Sequence, residues 1–114
     1  MESPRDGHSS DESGLTEIKR LYELRHHYNK LNDRVGIEMG WMYPLDVYHN
    51  GAALKMKAMM DAGDEIDVSL YDWHCECAKK CSRRYRALKD MRRIYQRKLF
   101  EINREISLLD SDDN

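Results

Sequence analysis

Three residues past the middle of the chain, His74, Cys77 and Cys81, offer a nitrogen and two sulfurs at spacings of three and four, so all three can project from one side of a helix. A zinc ion takes such ligands in a tetrahedron. The set is incomplete, however. There is no Cys-x2-Cys pair, and Cys75 points elsewhere. The one other imidazole cluster, His26-His27, would reach this set only from an antiparallel helix. Buried cysteines otherwise act as small apolar residues, and that is the role assigned to them here: the sequence implies no metal and no cofactor. Catalytic signatures are equally missing. No glycine-rich phosphate loop, nucleophile elbow or His-Glu-x-x-His helix occurs, and no pair of acids sits in an apolar context that would tune it. We expect no enzymatic activity and no small-molecule substrate.

A second constellation is electrostatic. Residues 79–98 hold ten lysines and arginines with Asp90 as the only acid. On a helical projection Lys79, Arg83, Arg86, Arg93 and Arg97 share one face, a stripe about 27 Å long. Solvated helix faces usually mix charge signs to gain i,i+4 pairs. This one scarcely does, so phosphate contact along a nucleic-acid backbone stands beside the plain solvated face. Base-specific reading in the major groove is disfavoured. In leucine-zipper factors the basic segment precedes the zipper, whereas here Cys81, Tyr85, Leu88 and Tyr95 carry an apolar seam through the basic block.

The elements that must position these groups are helices. Charged residues make up 35% of the 114, only two are proline, and the net charge is −2, a composition of charged helices more than of a sheet. Residues 1–13, MESPRDGHSSDES, have no aliphatic residue after Met1 and read as a disordered acidic, Ser-rich tail. Leu21, Leu24, Tyr28, Leu31 and Val35 then recur at threes and fours, predicting a helix over about 14–37 capped by Ser13. Gly36, Gly40 and Pro44 end it in this reading. Residues 41–50, WMYPLDVYHN, become an apolar connector packed on the core, with a docking patch on Trp41 and Tyr43 as the exposed alternative. Asn50 caps a short, methionine-rich helix over about 51–62.

The longest element is predicted over about 69–109, with Leu70, Trp73, Cys77, Cys81, Tyr85, Leu88, Arg92, Tyr95, Leu99, Ile102, Ile106 and Leu109 as its apolar seam. The steps alternate four and three from Cys81 onward, the heptad of a coiled coil. Three successive fours before that predict a stutter. Residues 110–114 read as an acidic tail. The whole is an all-α helical hairpin or coiled-coil bundle, one helical domain over 14–109.

A seam about 60 Å long cannot be covered by a first helix of about 35 Å. Leu88, Arg92, Tyr95, Leu99, Ile102, Ile106 and Leu109 are therefore expected to form a partner or oligomer interface, with Arg92 either pairing across it or reaching out to water. The functional expectation is a coiled-coil interaction subunit or adaptor that self-associates, a homodimer within a larger assembly. A small nucleic-acid-associated regulator using helix 79–98 is the alternative. No secretory signal or span of about 18 apolar residues is visible, and three clustered cysteines cannot close a disulfide framework, so the expected location is intracellular, cytoplasm or nucleus, away from membranes.

Overall fold

A computed structural model describes residues 9–112 and contains two helices, α1 (Ser9–Asp61) and α2 (Val68–Asp112). Residues 1–8 of the expected tail, with 113 and 114, lie outside the described residues. Neither described helix is long and apolar enough to cross a membrane. The helices contribute to two compact units. One combines residues up to Asp33 with those from Arg93 onward, and the other is Arg34–Arg92.

The main departure from the expectation is α1. It is one 53-residue helix with Pro44 inside it, where a helix to 37, a connector and a second helix were predicted. The reason lies in the buried positions. Leu21, Arg25, Tyr28, Asn32, Val35, Met39, Met42, Asp46, His49, Ala53, Met56 and Met60 are all buried or half-buried, and they alternate by four and three without a break. Gly36, Gly40, Pro44 and Gly51 fall between these positions. Three glycines and a proline inside a helix cost on the order of 6 kcal/mol relative to alanine. Burying a few side chains, at about 1.5–3 kcal/mol each, offsets that.

The connector is short and held at both ends. Gly63, at φ 88°, stands in the left-handed region that follows a helix. Its N–H donates to the Met60 carbonyl (3.0 Å) and the Asp64 N–H to the Met59 carbonyl (2.9 Å), the two bonds of a Schellman cap. At the start of α2 the Asp67 carboxylate accepts from the Leu70 N–H at 3.1 Å, an N-cap that begins the helix at Val68. Asn50 caps nothing: within α1 its amide donates back to the Asp46 carbonyl and carboxylate.

In the first unit Leu21, Ile102 and Ile106 form the core, with Leu24, Tyr28 and Leu109 packed on it. Tyr28 meets Tyr95 with ring centres 6.1 Å apart, and Arg25 donates to Asn103 at 3.2 Å. In the second unit Val35, His49, His74, Ala78 and Leu88 are buried. Its helices are joined along one side by a two-pronged Arg84–Glu38 pair (2.5 and 2.9 Å) and along the other by Ser82 donating to Asp46 (3.1 Å).

The predicted α2 seam is corrected at two places. At its start the inward positions are Tyr71, His74 and Ala78, while Leu70 and Trp73 are exposed. Ranking by hydrophobicity selects Leu70, Trp73 and Cys77 and so invents a stutter; with Tyr71, His74 and Ala78 the threes and fours alternate up to Leu88. At Arg92 the side chain is exposed and Met91 is half-buried instead, so the seam steps around the charge. Apolar packing of the connector is overturned as well: Trp41, Tyr43, Leu45, Val47 and Tyr48 are all exposed.

Candidate functional site

The Arg34–Arg92 unit holds a buried pair of histidines and the two surfaces that flank it. His49 on α1 and His74 on α2 each occupy an inward position, and their Nδ1 atoms approach to 2.9 Å. One ring donates its Nδ1–H and the other accepts through its unprotonated Nδ1. Both side chains are more than nine-tenths buried. Tyr48 lies edge-on to His74 (5.6 Å) and Trp73 edge-on to His49 (5.1 Å).

The His74 imidazole is turned toward His49, and no three His, Cys, Asp or Glu side chains gather as a metal would need among the described residues. Cys75, Cys77 and Cys81 are free and half-buried. Burial pushes the Cys81 thiol above its usual pKa, helped by the neighbouring Asp46 and Cys77.

Two unlike surfaces flank the pair. Ile37, Trp41, Leu45 and Tyr48 step by four, four and three along α1 and remain exposed, Trp41 at 69% and Tyr48 at 60%. Glu38 falls on the same side of α1, three residues from Trp41 and seven from Leu45. On α2, Arg84 lies eleven residues from Trp73 and seven from Cys77, again one side of a helix. The Arg84–Glu38 pair therefore ties the Trp41 side of α1 to the Trp73 side of α2. Its hydrogen bonds hold the Glu38 carboxyl below the usual range and raise the Arg84 guanidinium.

The opposite side is polar and basic. Lys79, Arg83 and Arg86 line an open groove of about 430 Å³ together with Asn50 and Ser82, over a floor that includes Ala53 and Ala78. Small side chains at the helix contact leave the depression; long cations wall it.

No protein-family model matches this chain, and no curated protein or solved structure is similar to it. Function must be read from these surfaces alone.

Of the residues assigned to a partner interface, Leu88, Ile102 and Ile106 are buried within the chain, Tyr95, Leu99 and Leu109 are half-buried, and Arg92 is exposed. Of the basic face, Lys79, Arg83, Arg86 and Arg97 are exposed, and Arg93 is engaged with another group. Sequence reasoning missed the histidine pair. Its signal was the heptad of α1, readable only if Asp46 and His49 are admitted to a seam that also holds Met39 and Met42.

Proposed function

We propose that this chain is a non-enzymatic interaction subunit that self-associates through the exposed ridge of the Arg34–Arg92 unit, two hairpins packing face to face as a four-helix bundle. The observation that carries this reading is the exposure of Ile37, Trp41, Leu45 and Tyr48 on α1 beside Leu70 and Trp73 on α2. The interface first expected, centred on Leu88 and Ile102, has lost its rationale. Those side chains are already buried, and α1 is long enough to provide the cover.

Area favours a second copy as the occupant. From their fractional exposures these six side chains leave on the order of 700 Å² accessible, taking aromatic side chains at about 150–250 Å² each. Monomers rarely carry a patch above about 300–600 Å², and each side of a standard stable interface buries about 800 Å². Two tryptophans and a tyrosine are also the residue types that anchor interfaces.

Sedimentation and light scattering over a concentration series test the reading, with wild type set against Trp41→Glu/Tyr48→Glu. A wild-type dimer that becomes a monomer with unchanged helical signal supports it. A wild type that stays monomeric at high micromolar concentration refutes self-association and leaves the ridge for a helix of another protein.

A further inference from the structure

The basic groove differs in kind from an ordinary charged helix face. Lys79, Arg83 and Arg86 are spaced four and three along α2, so their side chains form one row about 10 Å long. None of the three has an acidic partner among the described residues. Their neighbour Arg84 does, through Glu38 on the other side of the hairpin. Asp46, a carboxylate beside the groove, accepts from Ser82 and Asn50, two of the residues that line it. Three cations without a direct ion pair among the described residues thus stand beside a cavity that has a floor.

We infer that this groove is a binding site for a phosphate-bearing ligand, whose phosphate oxygens lie along Lys79, Arg83 and Arg86 and whose body rests over Ala53 and Ala78. Guanidinium groups take phosphate oxygens two at a time, and a lysine adds a point charge. Three cations in a row suit several phosphates in succession, as in a free polyphosphate compound or a nucleic-acid backbone. The site uses neither the aromatic ridge nor its occupant.

Calorimetric titration of the full chain with inorganic tripolyphosphate, and separately with a short mixed-sequence single-stranded oligonucleotide, tests the assignment and distinguishes the two sources. Three single-strand phosphate contacts predict a slope of about −2 in log affinity against log salt, roughly a twentyfold loss for a fourfold rise in salt. Lys79→Glu/Arg83→Glu should abolish binding. Arg97→Glu/Lys98→Glu changes net charge equally and should leave affinity within about twofold. Circular dichroism of both variants checks that the helices persist, and Lys79→Gln/Arg83→Gln repeats the test without introducing acids. Binding of tripolyphosphate alone assigns a free phosphorylated compound; binding of the oligonucleotide with that salt slope assigns a nucleic-acid backbone. Absence of binding by both probes at low salt, or equal losses in both charge-reversed variants, overturns the proposal.

Discussion

Removing one ring of the His49–His74 pair strands the other. The remaining Nδ1 is buried, and its hydrogen-bond partner has been the opposite imidazole at 2.9 Å. A buried polar atom left unpaired costs about 1–3 kcal/mol. His49→Leu and His74→Leu should each destabilise the protein by that amount, and for a chain of this length 1 kcal/mol corresponds to a fall of about 3–6 °C in melting temperature. His49→Leu/His74→Leu removes both polar groups and fills the space with apolar ones, so it should be no worse than the milder single variant. The coupling recovered from the double-mutant cycle is then about 1–3 kcal/mol and favourable. Urea unfolding of the four proteins, monitored by far-ultraviolet circular dichroism, measures it. If the single losses simply add in the double variant, the two imidazoles are independent and the hydrogen bond contributes nothing.

Asn32 sits at an inward position of α1 with its Oδ1 buried and unpaired among the described residues, so Asn32→Leu should raise stability by about 1 kcal/mol in the same unfolding assay. Gly63→Ala meets no obstructing atom but forces a side chain into the left-handed region; a loss of about 1–2 kcal/mol is expected in thermal unfolding. The Glu38 carboxyl titrates lower in the folded protein than in the unfolded chain, so its contribution is complete above the usual carboxylate range and disappears as pH falls through the lowered value. Glu38→Gln should flatten that part of the acid limb in stability measured against pH, with Arg84→Gln giving the same flattening.

The all-helical hairpin was legible because its signal is local: long apolar periodicity at threes and fours in both halves of the chain. The length of α1 was not. Pro44 and three glycines are local terms, and the heptad that overrides them is spread over forty residues and contains Arg25, Asn32, Asp46 and His49. A reading that counts only apolar side chains loses the thread there and at His74, where Trp73 is the more tempting choice. Both failures have one cause: packing selects by position along the helix, and hydrophobicity is only a proxy for position. The basic groove was half visible. Its cations were named from spacing, but the floor of Ala53 and Ala78 depends on two helices meeting.

Pro44 also has a dynamic meaning. It has no N–H to return to the Gly40 carbonyl, so the hydrogen-bond ladder of α1 lacks a rung about two thirds of the way along. A helix normally unravels from its ends, because opening a middle turn breaks bonds on both sides. Here one of those bonds never existed, and the neighbouring Trp41, Tyr43 and Leu45 add little buried contact to hold the turn shut. α1 therefore has a third fraying point, internal and next to the aromatic ridge. Amides around residues 41–45 should exchange with solvent through local openings of lower free energy than those at Val35 or His49. Whatever covers the ridge would quiet that motion, making exchange at this turn a reporter of occupancy.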